Sequence, residues 1–234
     1  MNIIIPMAGR GQRFKKGYDD PKPFVDVKGK TMVELAVDNL NLPKAFHVFV
    51  VRASHMKKYS HVMDKILDKV SGAVVAIEGD TEGPASTCLK AKSYFNYDEP
   101  LLYANCDQYL EWNPQEFLNH VEDYDGGLLV HRDTKPYSSF AVLDESGYVK
   151  RTVEKEVISD ISSTGIYYWS KGSDFVRNAK SMIKKDRRAS NGEFYAINIY
   201  NEGIEEGKKY TVYFLKRFWR LGVPGELEEF NDNK

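Results

Sequence analysis

Cysteine is scarce in this chain of 234 residues, which contains only Cys88 and Cys106. Two cysteines without a C-x-x-C spacing do not make a disulfide framework, and the five histidines form no H-E-x-x-H pair, so neither a disulfide scaffold nor a zinc site is expected. An excess of one charge sign is also missing, because 33 Lys and Arg face 34 Asp and Glu. The net charge of −1 offers no general attraction to nucleic acid or to an anionic membrane, so any bound anion needs a local site.

Long hydrophobic runs are lacking as well. No stretch approaches 18 apolar residues, and the short apolar start has no basic segment before it. The sequence therefore predicts neither a membrane span nor a signal peptide, and we expect a soluble, cytoplasmic protein. Repeats and linkers rich in Pro, Gly or Ser are absent too, so 234 residues fit one α/β domain.

What the sequence does have is a strand that runs directly into a glycine loop, in residues 2–14 (NIIIPMAGRGQRF). Three consecutive isoleucines predict a strand buried on both faces, which is typical of a parallel sheet covered by helices. Pro6 ends the strand. The loop matches neither the dinucleotide fingerprint, which would need a third glycine at position 14, nor a P-loop.

The glycine loop has the composition of a phosphate site. Ala8, Gly9 and Gly11 carry almost no side chain, so several backbone amides could approach a ligand closely. Arg13 offers a planar fork of donors and Lys22 a compact charge, and together they could clamp a polyphosphate. The alternative is an ordinary glycine turn with solvated cations.

Strands and helices alternate through the first half of the chain. The expected strands are 47–51, 73–77 and 100–105, and the expected helices are 31–40, 57–70, 86–94 and 115–121. This order predicts a doubly wound sheet with right-handed crossovers, whose ligands lie at the carboxyl ends of the strands.

Two loops at that end of the predicted sheet are candidate sites. The loop 78–86 is small and polar, and it is either a turn with a helix cap or a surface against which a flat base lies. Asp107 follows the strand 100–105, where a carboxylate can hold a hard divalent cation beside phosphate oxygens. The alternative is that Asp107 only caps the next turn.

The second half changes pattern at about residue 126. It predicts a hairpin over 138–143 and 148–153, strands at 128–130, 161–169 and 210–215, and a helix at 174–183. Glu154 and Lys155 end the hairpin, although surface pairs of this kind usually contribute little. Gly165, after Thr164, interrupts a strand, as happens where a ligand approaches closely. Glu193 offers a further carboxylate.

The chain resembles the sugar-phosphate nucleotidyltransferase family, which includes the NDP-sugar pyrophosphorylases. The resembling segments follow the family's order over nearly the whole chain, namely MAGRGQRF, PKPFVDVKGKTMVELAVDNL, TEGPASTCLKA, LLYANCDQYL, SSFAVLDESGYVKRTVEKE, SSTGIYYW, NGEFYAINIYNEGI and LGVPGELEEF. The resemblance implies a doubly wound, mostly parallel mixed sheet with helices on both faces and a small antiparallel acceptor lobe. It divides the single domain into a nucleotide-binding half (1–125) and an acceptor-binding half (126–234).

The resemblance also implies roles for individual residues. The catalytic residues would be Arg13, Lys22 and Asp107, with Mg²⁺ bound to Asp107. The nucleotide would be bound by Ala8, Gly9, Gly11, Thr81, Gly83, Ala85 and Asn105. The acceptor would be bound by Glu154, Lys155, Thr164, Gly165 and Glu193. We add Arg220 to the acceptor-binding set from its position in the chain, where it differs from the family's pattern.

The chain departs from the family at Arg220. Many members carry an aspartate two residues before the glycine of a G-T-P-like segment, as a second magnesium ligand, and here that glycine is Gly222. Since a cation cannot coordinate a cation, either the metal relies on Asp107, phosphates and water, or Arg220 supplies its own charge to a phosphate, or activity is altered.

The resemblance implies transfer of a nucleoside monophosphate from an NTP to a phosphorylated small molecule, foremost a sugar 1-phosphate, for activated-sugar and surface-polysaccharide synthesis. The expected partners are the NTP and the acceptor, without nucleic acid or membrane; the base, the acceptor and the oligomeric state stay open. Two other functions stay open. A glycosyltransferase would usually need a D-x-D-like motif, which Asp107-Gln108-Tyr109 lacks, and a sensor without turnover would be consistent with Arg220.

Overall fold

The computed structural model describes residues 1–15 and 17–234. The strands are β1 (Asn2–Pro6), β2 (Asp26–Val27), β3 (Lys30–Thr31), β4 (Phe46–Arg52), β5 (Gly72–Ile77), β6 (Leu101–Ala104), β7 (Gln108–Glu111), β8 (Gly126–Arg132), β9 (Ser139–Leu143), β10 (Val149–Glu154), β11 (Ile161–Trp169), β12 (Tyr210–Phe214) and β13 (Arg217–Arg220). The helices are α1 (Met32–Leu40), α2 (Ala53–Leu67), α3 (Pro84–Leu89), α4 (Pro114–Val121), α5 (Gly172–Lys184), α6 (Ile199–Glu205) and α7 (Pro224–Asn233), with short 3₁₀ helices at Lys22–Phe24 and Lys92–Tyr94.

Nine strands form one mixed sheet that contains strands of both halves of the chain. Its main path is β10-β9-β11-β6-β1-β4-β5, and β8 joins β11 to β12. The strands of the first half, β1, β4, β5 and β6, all pair in parallel, whereas β11 runs antiparallel to β6. The predicted doubly wound fold is confirmed. The division at residue 125 stays a prediction.

The isoleucines of β1 place the core on both faces of the sheet. Ile4 packs into a cluster with side chains of α3, α5 and α6, whereas Ile3 and Ile5 pack with α1, α2 and α4. All three isoleucines are fully buried. The short apolar run therefore sits at the centre of the molecule, as the sequence predicts, and the loop after it emerges at a fixed point.

A third apolar cluster lies beside the glycine loop. It joins Phe14 to Leu221, Leu227 and Phe230 of the C-terminal segment. The segment reaches the cluster through β13, which pairs antiparallel with β7. This packing fixes the end of the glycine loop, because Phe14 is only 1% exposed.

The helix predicted at 31–40 is confirmed as α1, and Thr31 and Glu34 form a capping box at its start. The helices predicted at 57–70 and 86–94 are wrong in extent: α2 begins four residues earlier, at Ala53, and ends at Leu67, whereas α3 spans Pro84–Leu89 and is followed by a separate 3₁₀ turn. The helices α6 and α7 and the pairing of β7 with β13 have no counterpart among the predicted elements, because these segments show little periodicity. In the part of the chain that the structure describes, none of the helices has the length and apolar character needed to span a bilayer.

Candidate functional site

A cleft of about 1260 Å³ opens at the carboxyl ends of β1, β4, β5 and β6. This is the edge at which the doubly wound topology predicts a ligand. The predicted site residues that line the cleft are Ala8, Gly9, Gly11, Arg13, Lys22, Thr81, Gly83, Asn105, Asp107, Glu154, Lys155, Thr164, Gly165, Glu193 and Arg220. These residues extend from position 8 to position 220 of the sequence, so only the folded chain brings them together in one cleft.

Ala85 is the predicted site residue that does not line the cleft. Its side chain is fully buried, and its amide donates to the carbonyl of Phe194 over 3.0 Å. The neighbouring Gly83 explains the close approach: its φ is +125°, and a Cβ there would lie 2.6 Å from the same carbonyl oxygen. Ala85 therefore packs in the core beneath the loop, whereas Thr81 and Gly83 face the cleft.

The glycine loop holds Lys22 at close range. Gly11 has a φ of +57°, and a Cβ there would lie 3.3 Å from the Cβ of Lys22, so a larger residue would press on the lysine. Lys22 begins its short helix between Pro21 and Pro23. The loop and the P-K-P segment therefore pack directly against each other, which the sequence could only suggest.

Lys22 donates a hydrogen bond to Asp107 Oδ2, and the two side chains are only 24% and 22% exposed. Burial opposes the charged lysine, but the Asp107 carboxylate outweighs it and raises the pKa of Lys22. A role of Asp107 as a turn cap alone would not account for this ion pair. In this state the lysine occupies one oxygen of the proposed metal ligand.

The residues around Asp107 fit a hard cation such as Mg²⁺. A Cβ on Gly222 would lie 3.2 Å from Asp107 Oδ2 and 3.5 Å from Glu226 Oε2, so two carboxylates face the same small space. Within residues 1–15 and 17–234, no group of three or more acidic, cysteine or histidine side chains is placed to hold a metal. Magnesium commonly takes one or two carboxylates and completes its shell with substrate phosphates and water, so this pair suffices. Sequence reasoning missed Glu226.

Arg220 faces the cleft from β13 and is not a solvent-facing residue. Its Nη2 donates to Asp133 Oδ2 over 2.6 Å and to Ser138 Oγ over 2.7 Å, and the side chains of Arg220 and Asp133 are 17% and 15% exposed. Burial would raise the pKa of Asp133, but the hydrogen bond and charge of Arg220 lower it overall. Burial, reinforced by Arg220, also lowers the pKa of His131 to about 4.

We expect Arg220→Met to lower the free energy of unfolding by about 2 kcal/mol at pH 7, because the half-buried Asp133 carboxylate loses its charged partner. The loss should shrink as the pH falls from 7 to about 4. Over this range His131 stays neutral in the native wild type but charges on unfolding below pH 6.5, and this weakens the wild type more than a variant whose His131 no longer faces Arg220. The depressed pKa of Asp133 acts only below its ordinary value of 3.8, where the contribution of the ion pair is lost in acid.

Urea unfolding of both proteins across this pH range measures the effect. The matched control is Arg132→Met, because the neighbouring Arg132–Asp160 pair is 60% and 56% exposed and should be worth less than about 1 kcal/mol. Equal losses in the two variants at pH 7 would contradict a structural role for Arg220.

Two of the predicted acceptor residues, Lys155 and Glu193, share a hydrogen-bonded group around Tyr195, whose role the sequence did not indicate. The Tyr195 hydroxyl contacts Lys155 Nζ and donates to Glu193 Oε2. Glu154 lies beside them, accepts from Ser139 and has a raised pKa because it is buried. This wall can present a carboxylate, a hydroxyl and an ammonium to a polar ligand.

An exposed ion cluster joins the glycine loop to the loop after β5. Asp80 accepts hydrogen bonds from both Arg10 and Arg52. The two arginines lower the pKa of Asp80. In contrast, no hydrogen bond or ion pair to any described residue engages the guanidinium of Arg13, which faces the cleft. Of the two loop arginines, Arg13 is therefore the one whose charge is available to a ligand.

A model of the nucleotidyl transferase family matches residues 3–230. The bifunctional protein GlmU of Helicobacter pylori is 24% identical over 243 residues, which cover 97% of this chain and 52% of GlmU. The chain thus spans about half the length of this curated relative.

Solved structures share the fold. A nucleoside-diphosphate-sugar pyrophosphorylase from Vibrio cholerae RC9 has a TM-score of 0.84 at 26% identity and covers 99% of this chain and 100% of its own. A protein described as a glucose-1-phosphate thymidylyltransferase from Bacillus anthracis has a TM-score of 0.79 at 19% identity, and the match covers 99% of this chain and 94% of that protein. The inositol-1-phosphate CTP transferase of T. maritima has a TM-score of 0.75 at 17% identity, and the match covers 99% of this chain and 93% of that protein.

The last two structures support the fold alone, whereas the family model extends over nearly all of the chain, from the first strand to the C-terminal helix that packs on the glycine loop. The chain belongs to the nucleotidyl transferase family.

Proposed function

We propose that this protein transfers a nucleoside monophosphate from an NTP to a sugar 1-phosphate and releases pyrophosphate. One observation carries the proposal: a single cleft contains the glycine loop with Arg13, the Lys22–Asp107 pair and the polar wall around Glu154. The glycine loop and its cations suit a triphosphate, and the wall suits a polar acceptor. The product would serve as an activated sugar, for example in surface-polysaccharide synthesis in the cytoplasm.

The reaction needs positioning and positive charge more than a general base. A phosphate monoester has its second pKa near 6, so an oxygen of the acceptor phosphate is already a nucleophile at neutral pH. It forms a bond to the α-phosphorus of the NTP while the bond to the bridging oxygen of the β-phosphate breaks, and pyrophosphate leaves with that electron pair. Arg13 and Lys22 would stabilise the negative charge that develops on these phosphates.

The remaining residues would bind and orient the two substrates. The backbone of the glycine loop would face the phosphates, and the loop at Thr81 and Gly83 would lie against the base. Asp107, with Glu226 as a second carboxylate, would hold Mg²⁺, which supplies charge neutralisation at the α- and β-phosphates when bound. The carboxylate of Glu154 and the ammonium of Lys155 would face the acceptor.

The test is pyrophosphate release from a matrix of NTPs and phosphorylated acceptors, followed by mass spectrometry of the product. We expect release that requires both substrates and a product whose mass equals the NMP plus the acceptor minus water. Release of a nucleoside diphosphate from a nucleotide sugar would instead indicate a glycosyltransferase. Saturable NTP binding without turnover would indicate a sensor, the function that the arginine at position 220 favours.

A further inference from the structure

Gln108 carries a buried carboxamide without a partner. The residue is 4% exposed, and both its Oε1 and its Nε2 are buried without a hydrogen bond. Buried side-chain amides are nearly always hydrogen-bonded, because they lose water without compensation otherwise. An amide with neither atom satisfied therefore requires an explanation, and Gln108 also lines the cleft directly beside Asp107.

The backbone around Gln108 is shaped to make room for this amide. Gly165 lies in β11 with a φ of +86°, at the point where the pairing of β11 with β8 shifts register. A Cβ on Gly165 would lie 2.9 Å from Gln108 Oε1 and 2.2 Å from Asn105 Nδ2. Two amide side chains thus converge where any other residue would clash. The Tyr103 hydroxyl donates to Asn105 Oδ1, which turns the amide nitrogen of Asn105 towards Gly165.

The closeness of Gln108 to Gly165 places it on the acceptor side of the cleft. Gly165 belongs to β11, which lies between β9 and β6, whereas the glycine loop and the loop at Thr81 leave β1 and β5 on the other side of β6. In the β7–β13 pair, Gln108 is also directly opposite Arg220. Directly opposite residues in an antiparallel pair share one face, so Gln108 and Arg220 point to the same side.

The chemistry of a carboxamide selects its ligand. A phosphate oxygen could accept from Nε2 but would leave Oε1 facing negative charge, and an ammonium could donate to Oε1 but not accept from Nε2. A hydroxyl both donates and accepts. The same cleft is lined by further neutral groups of this kind, namely Asn105, Ser139, Ser163, Thr164 and Tyr167.

We propose that Gln108 is a specificity-determining residue that binds one hydroxyl group of the sugar 1-phosphate. The hydroxyl accepts from Asn105 Nδ2 or Gln108 Nε2 and donates to Gln108 Oε1, after a rotation of the glutamine side chain towards the ligand. This inference rests on the proposed function, because it concerns the acceptor of the same reaction.

The test compares the wild type with Gln108→Met, which keeps the length of the side chain and removes both polar atoms. We expect the KM for the sugar 1-phosphate to rise at least tenfold and the KM for the NTP to change less than twofold. The Tm should stay equal or rise, because an unsatisfied amide is replaced by an apolar group. The matched control is Gln115→Met on the exposed face of α4, which should leave both KM values unchanged.

A panel of monodeoxy analogues of the accepted sugar phosphate sharpens the test. The wild type should discriminate strongly against one deoxy position, and Gln108→Met should lose that discrimination, since a site built to bind a hydroxyl rejects the analogue that lacks it. If Gln108→Met leaves the KM for the acceptor unchanged and lowers the Tm, the proposal is overturned, because the amide of Gln108 would then stabilise the fold and not bind the acceptor. A rise confined to the KM for the NTP, or equal use of phosphocholine and a sugar phosphate by the wild type, would overturn it too.

Failure of the proposed function gives a different result. If the wild type releases no pyrophosphate with any substrate pair, calorimetry with glucose 1-phosphate and inositol 1-phosphate replaces kinetics. The inference then stands if the wild type binds one of these and Gln108→Met binds it at least tenfold more weakly. It falls if the two proteins bind equally or if the wild type binds neither.

Discussion

Replacing Lys22 by methionine should lower turnover by a factor of about 10² to 10³ and, at the same time, raise the affinity of the nucleotide-free protein for Mn²⁺. Turnover falls because a charge that stabilises the transition state is removed. Metal affinity rises because the ammonium of Lys22 no longer occupies Asp107 Oδ2. We expect at least about a tenfold lower Kd, the equivalent of one pKa unit of interaction between paired charges.

Asp107→Asn should move metal binding in the opposite direction, because it removes a carboxylate ligand. Electron paramagnetic resonance measures the Mn²⁺ affinity of both variants directly, so the test does not depend on an activity assay. Lys30→Met is the matched control: it removes a lysine from the more exposed Lys30–Asp38 pair, and neither turnover nor metal affinity should change. Equal Mn²⁺ affinity in the wild type, Lys22→Met and Asp107→Asn would show that this pair does not bind the metal.

Arg13→Ala should lower kcat by a factor of about 10² or more while leaving the free energy of unfolding within about 0.5 kcal/mol of the wild type. The side chain is exposed at the cleft, and no described residue pairs with its guanidinium, so the fold does not depend on it. The charge is instead available to the substrate phosphates. Pyrophosphate release and urea unfolding measure the two quantities.

Lys15→Ala is the control for this variant, because Lys15 is an exposed cation two residues away that does not line the cleft. We expect its kcat to match that of the wild type. A folded Arg13→Ala protein with unchanged kcat would instead mean that the loop arginine is solvated and that the phosphates are held by other groups.

The contrast between Arg13 and Arg220 shows why residue type alone does not assign a role. Both arginines line the cleft, yet Arg220 already has a partner in Asp133, which lies 87 positions away in sequence. The exchange Arg220→Asp would therefore place two carboxylates together and would report on the stability of the fold as well as on the metal. The sequence alone places Arg220 two residues before the glycine of the G-V-P segment, but it does not identify Asp133 as its partner.

The sequence by itself determined the central strand, the glycine loop, the order of strands and helices in the first half, the hairpin of the second half, and the strand Ile161–Trp169 at its full length. Each of these follows from a local pattern: an apolar run, a periodicity of two or 3.6, a cap or a turn. The topology implied by these elements places the cleft at the carboxyl ends of the parallel strands.

Only the tertiary structure decided which groups meet in that cleft. It paired Lys22 with Asp107, buried Ala85 in the core, and brought Gln108 against Gly165. It also formed the β7–β13 pair that positions Arg220. The physical reason is that secondary structure depends on neighbours three or four residues away, whereas the partner of a charged or amide side chain depends on how distant segments pack.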